Sequence, residues 1–189
     1  MKIAVFIDFQ GTIGGEGTDD IHSLTLYPFT AKAIRKLNAA NLLVVGITNQ
    51  SRISKGELTW KEYKSKLQSI ESELSQSGAR FDAVYCCPHM RADQCDCKKP
   101  LPGMVNNACK EFDIDLSRSY VIGDMGKNDM VLAKNIGEKG ILVLTGVGRG
   151  SLAEFRHTWQ DYEAYRVVEN IEEAADFILD DIKQQGKDV

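Results

Sequence analysis

The sequence predicts an α/β fold: a mostly parallel sheet covered by helices on both faces, three layers in all. Three observations carry this. Short apolar runs, such as Ile3-Ala4-Val5-Phe6-Ile7, have the length and composition of strands buried on both sides. These runs alternate with longer segments of helical period along the whole chain. Several of the runs end directly in Asp, Thr or Gly, the residue types that turn a chain or hold a ligand at the end of a strand.

Taken in order, the first strand ends at Asp8, and Phe9-Gln10-Gly11-Thr12 leads into an acidic, glycine-rich loop over 14–20. Ala31, Ala33, Ile34 and Leu37 recur at helical spacing and place a helix over about 30–40. A second strand over 42–47 runs into Thr48-Asn49-Gln50-Ser51. Tyr63, Leu67, Ile70 and Leu74 share one face of a long helix over 59–77, and a third strand covers 81–86. A compact polar segment, 87–102, then precedes a helix that Pro102-Gly103-Met104 opens and that runs to about 112. The fourth strand, 120–122, ends in Gly123-Asp124; a helix over 127–135 and a fifth strand over 140–144 follow. Gly146, Gly148 and Gly150 mark a loop, with a short helix from Ser151, an edge strand over 166–168 and a closing helix over 171–182.

The chain has 189 residues, enough for one domain with a substantial core, and neither a repeat nor a linker divides it, so 1–189 reads as a single domain. It is 43% hydrophobic and 26% charged, with a net charge of −4. No basic stretch offsets that acidity, which argues against nucleic acid as a partner. The apolar runs are far shorter than the roughly 20 residues a membrane span needs. Met1-Lys2 leads straight into the first strand without the pattern of a signal peptide, so the expected location is cytoplasmic.

Three strands thus end in groups suited to phosphate chemistry: Asp8, Thr48 and Asp124. Right-handed crossovers bring all three ends to one edge of the sheet, and Lys99, after the third strand, can reach the same edge. A carboxylate there can attack phosphorus or hold a hard cation such as Mg²⁺, and an ammonium group with a hydroxyl can hold an anionic phosphate. Each residue taken alone is equally a turn former or surface group; it is the shared strand-end register that points to a site.

The five cysteines are Cys86, Cys87, Cys95, Cys97 and Cys109, four of them between 86 and 97. Cys87-x-His89 followed by Cys95-x-Cys97 supplies three thiolates and an imidazole, the ligand set of a closed, structural zinc site. Such a site would shape the 87–102 loop that carries Lys98 and Lys99. Cys86 and Cys109 read as packing residues. The Gly146–Gly150 segment reads first as a turn and second as a grip for another phosphate.

Asp8-x-Gln10-Gly11-Thr12, strand-end Thr48, Lys99 and Gly123-Asp124 with Asp129 resemble the four motifs of the haloacid dehalogenase-like (HAD) phosphatases. Thr48-Asn49-Gln50-Ser51, the Cys/His block and Lys98-Lys99-Pro100 are similar to the branch that contains the heptose-bisphosphate and histidinol-phosphate phosphatases. The resemblance implies a Rossmann-like core without a large cap domain, and a Mg²⁺-dependent phosphatase for a small phosphorylated metabolite, a sugar phosphate or bisphosphate. It implies Asp8 as the nucleophile that forms an aspartyl-phosphate, and Mg²⁺ held by Asp8, Asp124 and the backbone carbonyl of Gln10. Thr48, Asn49, Gln50, Ser51, Arg52, Lys98 and Lys99 would contact substrate, Lys99 with a catalytic part. Asp129 would orient metal-bound water or Lys99, or else simply meet a helix N-terminus. In the family the residue two after the nucleophile is usually an aspartate that shuttles the proton. Here it is Gln10, which implies either reduced turnover or a phosphometabolite-binding, regulatory protein on the same fold. Arg52, where the branch commonly has glycine, adds a cation beside the site.

Overall fold

A computed structural model describes residues 1–18 and 20–186. Six parallel strands form one sheet in the order β3-β2-β1-β4-β5-β6. They are β1 (Ala4–Ile7), β2 (Leu43–Asn49), β3 (Ala83–Cys87), β4 (Tyr120–Gly123), β5 (Lys139–Val143) and β6 (Arg166–Val168). Both faces are covered, as the unbroken apolar strands require. Val5 and Ile7 face one side, where they meet α1 (Thr30–Ala39), α2 (Trp60–Gln76) and α6 (Ile171–Gln185). Ala4 and Phe6 point the other way, against α3 (Gly103–Glu111) and α4 (Val131–Ile136).

The helix ends are set locally. Thr59 and Glu62 form a reciprocal capping box at the start of α2, and Asn170 accepts the Glu172 and Glu173 N–H groups at the start of α6. Gly137, at φ +75°, closes α4 in the left-handed conformation. Connections among the described residues carry only short helical turns, so no cap domain stands over the strand ends. No helix among them is long and apolar enough to cross a membrane.

Three details differ from the expectation. Cys87 is the last residue of β3 and fully buried, so the cysteine-rich segment starts on the sheet. The loop over 146–150 gives way at Gly148 to α5 (Gly148–Leu152), which begins three residues earlier than the sequence suggested. A Cβ at Gly148 would lie 1.9 Å from the Val143 carbonyl, so glycine lets this helix start hard against the end of β5. The chain after β4 enters its helix through a π-helical turn, Gly126–Met130.

The order of strands fixes where a site can form. From β1 the chain builds outward through β2 and β3, then returns to add β4 on the other side of β1. The crevice between the carboxyl ends of β1 and β4 is therefore the topological switch point, and Asp8 and Asp124 flank it.

Candidate active site

Asp8 follows β1 and Asp124 follows β4; Asp129 comes from the π-helical turn. One oxygen of each carboxylate lies within 4.8 Å of the others. Lys99, from the connection after β3, extends into the same place and is 3% exposed. Its Nζ donates to Asp8 Oδ1 at 2.5 Å and to Asp129 Oδ1 at 2.8 Å. Asp129 also accepts the Met125 N–H, at 3.1 Å, so it is bonded both to its own turn and to Lys99.

Three buried acids around one base are electrostatically unbalanced. Burial pushes the Asp124 carboxyl well above its usual range, and the neighbouring Asp8 and Asp129 charges add to this. Burial also raises Asp129, to about 6, with Lys99 opposing the rise. Lys99 itself would lose its proton more readily through burial, but the Asp129 and Asp8 charges outweigh that and hold it protonated. The donor set is hard oxygen, and the excess of negative charge suits a divalent cation between Asp8 and Asp124.

Glycines let the chain wrap the Asp124 carboxylate. A Cβ placed on Gly11, Gly17 or Gly146 would come within 2.0, 2.6 and 2.2 Å of Asp124 Oδ2. Val147 N–H donates to that same oxygen at 2.8 Å, and Ser151 Oγ donates to the Asp124 carbonyl at 2.8 Å. The glycine-rich segment after β5 thus serves Asp124, a role that its composition alone did not indicate.

Of the expected substrate residues, Asn49, Gln50, Ser51, Arg52, Lys98 and Lys99 line a cleft of about 620 Å³ with Asp8, Gln10, Asp124 and Asp129. Thr48 does not line it. Its side chain is fully buried beneath, where its hydroxyl donates to Gln10 Oε1 at 3.3 Å and accepts from Gln50 Nε2 at 2.8 Å. Gln50 Nε2 also donates to Gln10 Oε1, at 3.0 Å, so the Gln10 amide is held from two sides. Arg52 pairs with Asp20 at 3.3 Å and with Glu57 at 3.9 Å. Lys98 donates to Ser51 Oγ and to the His89 carbonyl. The sequence reading missed Lys55, Arg91 and Lys127, which also line the cleft. Topology offered a signal: Arg91 lies in the cysteine-rich loop and Lys127 three residues after Asp124, both beyond the carboxyl ends of strands.

The Cys/His block closes up as its spacing suggested. Cys87 Sγ lies 3.1 Å from Cys97 Sγ and 3.7 Å from Cys95 Sγ and His89 Nδ1; His89 Nδ1 is 3.3 Å from Cys97 Sγ. A tetrahedral ion with bonds of about 2.0–2.3 Å has ligand-to-ligand edges of roughly 3.5 Å, so these atoms fit around a zinc-sized ion. Burial pushes the Cys87 and Cys97 thiols up. At Cys95 the Lys98 and Cys97 backbone N–H groups outweigh burial and lower it. Cys86, packed in the core and pushed up to about 12 by burial, stays outside the cluster. So does Cys109 on α3.

Comparison with known proteins agrees with this geometry. The HAD-hydrolase-like family matches residues 96–183. The D-glycero-β-D-manno-heptose-1,7-bisphosphate 7-phosphatase of Yersinia pestis is 34% identical, over 76% of this chain and 81% of that one. The enzyme of the same name from Neisseria meningitidis is 28% identical over 93% of this chain and all of its own length. The crystal structure of D,D-heptose 1,7-bisphosphate phosphatase from B. bronchiseptica, complexed with magnesium and phosphate, superposes with a TM-score of 0.85. It covers 96% of this chain and 99% of its own, at 30% identity. This chain belongs to the HAD-like hydrolase family, among its phosphatases.

Proposed function

We propose that the protein is a Mg²⁺-dependent phosphomonoesterase for a small phosphorylated sugar, a monophosphate or bisphosphate, working through an aspartyl-phosphate on Asp8. The observation that carries this reading is the buried contact of Lys99 with Asp8 and Asp129 at the switch point, beside Asp124. Mg²⁺ held by Asp8, Asp124 and the Gln10 backbone carbonyl would supply positive charge against the phosphoryl oxygens.

The chain's own residues do the rest. Asp8 attacks phosphorus in line: its Oδ–P bond forms as the bond from phosphorus to the sugar oxygen breaks. Lys99, kept protonated by its two carboxylates, follows the phosphoryl oxygens as their charge redistributes. The backbone at Asn49, with Gln50 and Ser51, lines the rest of the phosphate site. Thr48 supports it from below by holding Gln10 and Gln50. Water then attacks the aspartyl-phosphate, releasing phosphate and restoring the Asp8 carboxylate. Arg52 and Lys98 line the same cleft and would meet a second phosphate there. The names of the relatives make a heptose 1,7-bisphosphate the first substrate to test. Cys87, His89, Cys95 and Cys97 hold a structural zinc in this reading, and the zinc fixes the loop that presents Lys98 and Lys99.

One observation favours a second reading. Gln10 stands where a proton must reach the leaving oxygen, and its amide, tied to Thr48 and Gln50, has no proton to shuttle. That suits a protein that binds a phosphorylated metabolite without turning it over. Phosphate release from a panel of sugar phosphates with Mg²⁺, by the native protein and by Asp8→Asn, separates the two. Turnover lost in Asp8→Asn, with the fold intact, supports the phosphatase; equal release from both proteins refutes Asp8 as nucleophile. Tight binding without turnover by the native protein puts the second reading first.

A further inference from the structure

Next to the reactive cleft lies a second cavity of similar size, about 600 Å³, between the cysteine-rich loop and α4. Four residues line both: Arg91, Lys98, Lys99 and Lys127. Every one is a cation, so the wall between the cavities is wholly basic. Lys99 is neutralised by Asp8 and Asp129, but the other three are not. The Lys98 side chain is bonded only to neutral oxygens, and among the described residues the side chains of Arg91 and Lys127 have neither an ion pair nor a hydrogen bond.

The far side of this second cavity has a different character. Leu101, Val131, Tyr162 and Met90 give it an apolar wall, and no aspartate or glutamate among the described residues lines it. The reactive cleft, by contrast, is lined by Asp8, Asp124, Asp129 and Glu57. A cavity with free cations at its entrance, an apolar, tyrosine-bearing wall beyond and no acid is matched to an amphipathic anion. Charge draws the anionic group to the wall, and burial and stacking reward a flat ring behind it.

We propose that this cavity is a continuation of the substrate site. It takes the planar or apolar end of a phosphate ester whose second anionic group rests on Arg91, Lys98 and Lys127, while the reacting phosphate lies at Asp8. The ligand class is a nucleoside-type bisphosphate, or another bisphosphate with a ring beyond its second phosphate. The proposal rests on the phosphatase reading for the reacting phosphate alone; the second cavity can be tested without turnover.

The test is calorimetric titration of the Mg²⁺-loaded Asp8→Asn protein with adenosine 3′,5′-bisphosphate and with fructose 1,6-bisphosphate. Stacking of a base on an aromatic side chain predicts that the nucleoside ligand binds about tenfold tighter. Leu101→Asn, polar but uncharged, should abolish that advantage while leaving the sugar ligand within about twofold. Leu101 is 45% exposed, so this change spares the core, and Leu101→Met should retain the advantage. Lys127→Met should weaken both ligands. Equal affinity for the two ligands, or an advantage indifferent to Leu101→Asn, overturns the proposal. Phosphate release by the native protein from fructose 1,6-bisphosphate is read separately. Release together with a silent Leu101→Asn sinks this inference and leaves the phosphatase reading standing. A ring-dependent advantage without release from any substrate does the reverse.

Discussion

Asn49 and Lys99 are joined twice. The Asn49 side-chain carbonyl accepts the Lys99 N–H at 3.0 Å, and its amide donates to the Lys99 carbonyl at 3.3 Å. One side chain at the end of β2 thus imitates a neighbouring strand and clamps the loop that delivers Lys99 to Asp8.

Asn49→Ala should therefore damage the site more than the fold. Two partly buried hydrogen bonds at about 1 kcal/mol each lower Tm by several degrees in a chain of this length. Displacing Lys99 by about 1 Å should cost on the order of 10²-fold in kcat. Asn49→Asp keeps the acceptor for the Lys99 N–H but loses the donor, and should fall between the two. Thermal melts beside phosphate-release kinetics check this; a loss of activity no larger than the loss of folded protein would reject the clamp.

Metal removal tests the same loop from its other end. Protein purified without added metal should contain one equivalent of zinc. Stripping it with a chelator under reducing conditions should free Lys98 and Lys99 and stop turnover, with Mg²⁺ unable to rescue and zinc able to. Hydrogen exchange should rise over residues 88–103 while β1 and β2 stay protected. Zinc far below one equivalent, with the four side chains unoxidised, counts against the site.

Glu138 predicts a pH dependence unrelated to catalysis. It precedes β5, is 9% exposed, and neither carboxylate oxygen has a hydrogen-bond partner. Burial alone lifts it from 4.5 to about 9. Between those values the folded chain keeps a proton that the unfolded chain has lost, so stability is greatest below about 4.5 and falls as pH rises towards 9. The slope from this group is at most about 1.4 kcal/mol per pH unit. Glu138→Gln, neutral at every pH, should melt above the native protein at pH 8 and match it near pH 4.5. Parallel Tm curves in the presence of Mg²⁺ would remove Glu138 as the cause.

Much of this was legible in the sequence because the buried strands announce themselves. The runs ending at Asp8, Thr48 and Asp124 located one edge of the sheet, and the switch point follows from the strand order. The Cys/His block was equally plain, since ligand types at short spacing leave little choice of geometry. Other contacts were not legible because they depend on how separate loops meet. Asp129 reaches Lys99 only through the π-helical turn. Gly146 and Gly17 matter because both abut Asp124, and composition cannot reveal that. The cations Arg91 and Lys127 lie far apart in sequence, and only folding brings them onto one wall. Thr48, expected in contact with substrate, instead lies beneath Gln10, because a β-branched residue inside a central strand is drawn into the core.

Gln10 offers the most discriminating substitution. Its amide oxygen takes hydrogen bonds from Thr48 and Gln50, and these donors would equally hold a carboxylate in its place. If the protein is a phosphatase short of a proton shuttle, Gln10→Asp should raise turnover on the order of 10²-fold, the low end of what general acid-base catalysis supplies. The low end is expected because Thr48 and Gln50 favour the ionised form of the new carboxylate, which leaves less of it protonated to act as acid. The gain should be largest for sugar phosphates, whose alkoxide needs a proton to leave, and small for an aryl phosphate whose anion leaves unaided. Equal gains on both substrates would point instead to tighter Mg²⁺ binding from the added charge. An absence of gain on either, with fold and metal content intact, would place this chain among proteins that bind the phosphorylated metabolite and do not hydrolyse it.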